Sequence, residues 1–263
     1  MKDPRLLAEV AEHPFPLLFA TVSGAHLYGF PSPDSDYDLR GAHVAPIALL
    51  AGLDKVEETV KTSHLREGMD VDLVTHEVRK FFTLLLRDNG YVLEQLYSPL
   101  VVHTTPEHEE LKSIARACIT RQCVRHYLGF AANQWMLFED EEPRRLKPLL
   151  YVFRVLLSGI HMMRTGDVNA NLPECNAALG SDRLRWLNEL IARKVGGEEQ
   201  GTIAGDDFDL YAREYARLRE RLSDEAERSA LPDASTARPA MTDLLQRIRQ
   251  AGVNRPSRPA TSA

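Results

Sequence analysis

Much that would classify this chain quickly is missing from it. It has only three cysteines, Cys118, Cys123 and Cys175, with neither the paired spacing of a zinc site nor the number of a disulfide framework. They read as reduced thiols, and the expected compartment is the cytoplasm. The opening Met-Lys-Asp-Pro-Arg leads into no long apolar stretch, so neither a signal peptide nor a membrane span is expected. There is no basic excess: 32 Lys and Arg stand against 38 Asp and Glu, a net charge of −6. That balance argues against a generally basic nucleic-acid coat, though a local basic groove remains compatible with it. No internal repeat is visible. At 263 residues and 44% hydrophobic, the chain can bury a real core, as one large or two modest domains.

What stands out is a pair of aspartates behind a glycine-bearing turn. The segment Ser23-Gly24-Ala25-His26-Leu27-Tyr28-Gly29 is followed by Ser35-Asp36-Tyr37-Asp38-Leu39-Arg40-Gly41. On a β-strand, residues i and i+2 point to the same face, so Asp36 and Asp38 would present two carboxylates side by side. Unpaired, they repel, and one tends to hold its proton. A hard divalent cation such as Mg²⁺ removes that conflict. A turn rich in proline, serine and aspartate is also what an ordinary polar loop looks like. The flanks argue for more: residues 16–22 are apolar enough for a buried strand, and residues 38–44 form a plausible second one.

A further strand is expected over Met69-Asp70-Val71-Asp72-Leu73-Val74-Thr75, alternating and β-branched. Asp70 and Asp72 share one of its faces, and either could supply a third carboxylate. An amphipathic helix should follow over residues 76–86.

These residues resemble the DNA polymerase β-type nucleotidyltransferase superfamily, whose signature is Gly-Ser, a gap, Asp-x-Asp, and a later Asp on a neighbouring strand. More narrowly, the chain is similar to predicted bacterial nucleotidyltransferases, some linked to RNA repair. Three stretches carry this: residues 23–41; Asp72 through Arg79-Lys80 to Asn89-Gly90-Tyr91-Val92-Leu93-Glu94; and Lys147-x-x-x-Tyr151-x-x-Arg154. Together they span roughly residues 15–165. The resemblance implies that Asp36, Asp38 and Asp72 are the catalytic, metal-binding carboxylates, with Mg²⁺ or Mn²⁺ as cofactor. It favours Asp72 over Asp70 on the distance to Arg79-Lys80. It also implies that Ser23, Gly24, Arg40, Lys147, Tyr151 and Arg154 contact an NTP substrate. The acceptor hydroxyl would belong to RNA, a protein or a small molecule, with RNA favoured. One departure is clear: Ala25 stands where the superfamily has serine. That feature supports an alternative, a nucleotidyltransferase fold serving as an antitoxin or regulator with weak catalysis.

The expected architecture is α+β: a small mixed sheet with helices over residues 1–105, a helical module over 106–231, and a flexible tail over 232–263 holding one short helix near 241–250. Residues 46–67 read as a short helix and a polar connection. Asn89-Gly90 reads as a helix break. Helices are expected over 107–138, over 144–164 with Gly166 as its stop, from an N-cap at Ser181 to Lys194, and over 206–229. The second of these carries a polar stripe, Lys147, Tyr151, Arg154, Ser158 and His161, on an otherwise apolar surface. A stripe that narrow suggests one line facing a cleft, where Lys147 and Arg154 would suit a triphosphate.

Overall fold

The computed structural model describes residues 3–197, 202–203 and 207–253. Helix α1 (Pro4–Glu12) precedes strand β1 (Leu17–Val22), which is buried along its whole length, as its apolar run requires. The short helix α2 (Gly24–Tyr28) leads to β2 (Tyr37–His43) and a one-turn helix α3 (Ile47–Leu50). A hairpin of β3 (Thr59–Arg66) and β4 (Met69–Glu77) follows, closed by Glu67 and Gly68, both at positive φ. Positive φ at both central residues is what a tight two-residue hairpin demands. Helices α4 (Val78–Leu85) and α5 (Gly90–Tyr97) and strand β5 (Val101–His103) complete this part.

The five strands lie in the order β3-β4-β2-β1-β5, with β2 and β4 parallel and the other pairs antiparallel. One face is sealed by α1, where Leu6 meets Val22, Leu39, Val71 and Leu73. Since side chains alternate along a strand, Asp38 and Asp72 project from the opposite face, toward the helices.

Those helices are α6 (Pro106–Ala115), α7 (Val124–Asp140), α8 (Leu146–Thr165), α9 (Leu172–Ala177), α10 (Arg185–Val195), α11 (Phe208–Arg228) and α12 (Arg238–Val253). Among the described residues α8 is the one helix long and apolar enough to cross a membrane, but most of it is buried inside the protein, packed against α7 and α11. Gly166 ends it in the left-handed conformation, as its sequence position predicts. One hydrophobic cluster runs from Phe19 and Phe81 beside the sheet, through Phe153 and Leu156 of α8, to Leu244 and Ile248 of α12. Cys118, Cys123 and Cys175 are buried and free.

Several expectations are corrected. Residues 59–66 form a strand; as an exposed sheet edge, β3 carries few core residues, and so lacks an apolar alternation. The break expected at Asn89-Gly90 lies between α4 and α5, but the residues after it form a helix that Asn89 caps, its side chain accepting from the Tyr91 and Val92 amides. The helix expected over 107–138 is interrupted at 116–123 by two 3₁₀ turns. The helix expected from Ser181 begins at Arg185, and Ser181 sits in a 3₁₀ turn.

The largest correction concerns the tail. Helix α12 is sixteen residues long and docks Met241, Leu244 and Ile248 into the core. Arg249 donates to Glu77 at 2.5 Å and to the Ala45 carbonyl at 2.9 Å, while Arg247 pairs with Glu110. The rest of the expected tail, residues 254–263, lies outside the described residues.

Candidate active site

The site is built on two parallel strands. Asp38 of β2 sits directly opposite Asp72 of β4 in the ladder, and Tyr37 opposite Val71; Asp70 shares the Asp72 face of β4, and Asp36 lies just before β2. Asp34, Asp36, Ser63, Asp70, Val71, Asp72 and Lys147 line a cleft of about 300 Å³. A roomier hollow of about 400 Å³ lies elsewhere, among Leu50, Arg79, Leu245 and Arg249. It contains no carboxylate, so the polar cleft is the better candidate for chemistry.

Gly24 is required here for a steric reason. Its φ is +60°, and a β-carbon on it would fall 1.8 Å from Asp38 Oδ2. The backbone thus turns tightly against the carboxylate, and the Ser23 amide donates to the Asp38 carbonyl at 2.8 Å. The Ser23 hydroxyl is buried and has no partner among the described residues. Ala25 is 7% exposed and belongs to the hydrophobic core. A serine there would bury its hydroxyl in that core.

Arg40 dominates the electrostatics. Its Nη2 donates to Asp38 Oδ1 at 2.5 Å and to Asp72 Oδ2 at 2.8 Å. Nη1 donates to the Leu39 and Asp72 carbonyls at 2.9 and 2.6 Å, and Nε to the Tyr91 hydroxyl at 3.1 Å. The Arg40 guanidinium is thus bonded to both carboxylates, the strand backbone and the Tyr91 hydroxyl. Burial raises the Asp38 pKa, Arg40 offsets part of the rise, and Asp36 and Asp72 add to it. Arg40 ties Asp72 to Asp38, while Asp70 is exposed and lines the same cleft.

The polar stripe of α8 divides. Lys147 lines the cleft. Tyr151 lies one turn deeper, edge-on to Tyr28 and Phe30. Burial raises its pKa, and the Asp38 and Asp36 carboxylates add to the rise. Arg154 does not reach the cleft. It is 1% exposed, donates from Nη1 to both Glu94 carboxylate oxygens at 2.6 and 2.7 Å, and stacks over the Tyr28 ring at 4.0 Å. Its expected contact with a triphosphate is corrected to a buried ion pair joining α5 and α8. Glu94, the last residue of the second matched stretch, is the arginine's partner.

Tyr91 and Ser63 were not singled out by sequence reasoning. Tyr91 lay within a matched stretch and could have been flagged there. Ser63, on the unrecognised strand β3, gave no signal.

The carboxylate oxygens of Asp36, Asp38, Asp70 and Asp72 are hard donors, chemically suited to Mg²⁺ or Mn²⁺. Their arrangement is less simple. Among the described residues no three acidic, histidine or cysteine side chains converge on one ion. Arg40 is the cation that Asp38 and Asp72 share.

The family model for RlaP, the RNA repair pathway DNA polymerase beta family, matches residues 3–247. The chain is 33% identical over 188 residues to the uncharacterized protein MJ0002 of Methanocaldococcus jannaschii, covering 69% of this chain and 75% of that protein. It is 24% identical over 204 residues to the uncharacterized protein YcgL of Bacillus subtilis, covering 75% of this chain and 74% of that one. A crystal structure of a nucleotidyltransferase-like protein from Exiguobacterium sibiricum aligns with 94% of this chain and 75% of its own, at 12% identity and a TM-score of 0.31.

Proposed function

Because the chain belongs to the RNA repair pathway DNA polymerase beta family, we propose that it is a nucleotidyltransferase that moves a nucleoside monophosphate from an NTP to an acceptor hydroxyl. The family supports nucleotidyltransferase activity in general, and enzymes of the polymerase β type generally use divalent metals. The observation that supports the specific reading is the pairing of Asp38 with Asp72 across two neighbouring strands, beside a cleft that Asp36, Asp72 and Lys147 line.

Asp36 and Asp38 would hold the metal. When bound, it would supply positive charge to the phosphate oxygens and lower the pKa of a hydroxyl placed beside it. The acceptor oxygen attacks the α-phosphorus, the bond to the bridging oxygen breaks, and pyrophosphate leaves. The acceptor's proton would pass to a carboxylate, a role we give to Asp72. The Lys147 ammonium, at the same cleft, would face the outer phosphates.

Support for a polyanionic acceptor such as RNA comes from the sheet beyond Asp72. Asp72, Val74 and His76 share a face, with Lys61 opposite Val74 and Thr59 opposite His76. Lys80 donates to the Thr59 hydroxyl at 2.6 Å, and the charges of Lys80, Lys61 and Arg40 all act on His76. Cations therefore cluster next to the carboxylates in a protein that is acidic as a whole.

The alternative, an antitoxin or regulator with weak catalysis, is favoured by Arg40, which neutralises part of the carboxylate set. Incubation with each labelled NTP and RNA or protein acceptors separates the two. Metal-dependent transfer that Asp36→Asn abolishes, with the melting temperature retained, supports the enzyme. Transfer that survives in Asp36→Asn rules out this site.

A further inference from the structure

The position of Arg40 bears on how many metal ions the site can take. Sites that clamp both the attacking and leaving oxygens use two ions about 3.5–4 Å apart, and carboxylates must be shared between them. Here the oxygens that Asp38 and Asp72 turn toward each other both accept from one guanidinium nitrogen, at 2.5 and 2.8 Å. A cation already stands between the two strands.

That cation is held too firmly to act as a removable plug. Five hydrogen bonds fix it, two of them to main-chain carbonyls in the sheet. The Arg40 side chain is 11% exposed. Its strand, β2, is flanked by β1 and β4, so the backbone has no room to carry it away. Moving the guanidinium would break its bonds to two carbonyls, the Tyr91 hydroxyl and both carboxylates at once, and charge-assisted hydrogen bonds are the strong ones. Asp36 is not among the groups that bind Arg40 in these five contacts, and Asp38 Oδ2 lies against Gly24 rather than against the guanidinium.

We propose that Arg40 is a built-in replacement for one of two metal ions, so that the site accepts a single divalent cation on Asp36 and Asp38 while Asp72 remains the partner of Arg40. This rests on the nucleotidyltransferase reading above, and it assigns Arg40 a positioning role that the sequence motif does not specify.

Mn²⁺ serves as the probe, followed by electron paramagnetic resonance with a non-hydrolysable NTP present. The full-length wild-type chain should give the spectrum of an isolated ion, and Arg40→Met should gain a second ion coupled to the first. Since Arg40→Met removes a buried cation and could fail to fold, Asp72→Asn provides a separate arm. Its amide oxygen still accepts from Arg40, so Mn²⁺ affinity should be unchanged, whereas Asp36→Asn should lose more than about tenfold, given that even outer-shell partners of a metal contribute 10–100-fold. A coupled pair of ions in the wild type would overturn the proposal. So would an isolated ion in a folded Arg40→Met variant, or a loss in Asp72→Asn as large as that in Asp36→Asn. If wild type and variants alike bind no Mn²⁺, the metal-dependent reading itself is wrong, an outcome distinct from two ions in the wild type.

Discussion

Arg154→Met tests whether the polar stripe on α8 is structural or catalytic. In the folded protein Arg154 and Glu94 are each almost entirely buried, and the guanidinium reaches both carboxylate oxygens. Removing the arginine leaves a carboxylate in a dry core with no counterion. Breaking such a pair from one side costs about 3–5 kcal/mol. For a protein of this size class, roughly 2–4 °C of melting temperature is lost per kcal/mol, so the melt should fall by about 6–20 °C. Replacing both partners by apolar residues should recover much of the loss, because a buried pair repays little of its own desolvation. The deficit should also depend on pH. Without Arg154, burial pushes the Glu94 pKa above its unfolded value, so the folded variant binds the extra proton and loses stability as pH rises. The gap from wild type should therefore be wider at pH 8 than at pH 5. Thermal or urea unfolding at both pH values, on the single variant and on Glu94→Leu/Arg154→Met, measures this. A single variant that melts with wild type but shows a raised KM for NTP would refute the reasoning and return Arg154 to the cleft.

Two further outcomes follow from the geometry. Gly24→Ala should abolish nucleotidyl transfer, because its β-carbon would collide with the Asp38 carboxylate. It should also cost about 1–2 kcal/mol from forcing a side chain into a left-handed conformation. A folded, fully active Gly24→Ala variant would contradict the placement of Asp38. Acid stability should be governed first by buried histidines. Burial lowers the pKa of His43 to about 3 and that of His108 to about 4, against about 6.5 when unfolded. The unfolded chain then binds more protons, so stability should fall as pH drops from about 6.5 toward 4. Both residues are fully buried, and each pKa unit is worth about 1.4 kcal/mol, so the loss should reach a few kcal/mol. A melting temperature that stays flat down to pH 4.5 would show that these rings are not held neutral.

The parts legible in the sequence were those in which one pattern settled the matter. Residues 17–22 are apolar but for Thr21 because β1 is buried on both sides, and β4 alternates because one face meets α1. β3 was illegible because an edge strand in solvent has little to bury. Asn89 was legible as a break but not as a cap, because its side chain can end one segment or start the next. α12 was hidden by a composition typical of linkers; its Met241, Leu244 and Ile248 form a helical stripe only when α6 and α4 are there to receive it. In the candidate site the aspartates were readable from their spacing, whereas the duties of the arginines were not. Lys147 and Arg154 share a helix face, yet one lines the cleft and the other lies in the core, paired with a residue 60 positions away. For Arg40, spacing supplied the face but not the partners.

The docking of α12 has a consequence for how the chain comes to be folded. Arg249 bonds to Glu77 and to Ala45, groups 172 and 204 residues earlier, and Glu77 is the residue that caps α4 at the end of the strand bearing Asp72. Contacts this distant in sequence pay a large loop-closure entropy before they return anything. A ribosome delivers α12 after every strand has emerged, so the sheet must wait for its last clasp. During synthesis the apolar surface that α12 will cover stays open, and that interval is when a nascent chain is most exposed to misassembly or in need of a chaperone.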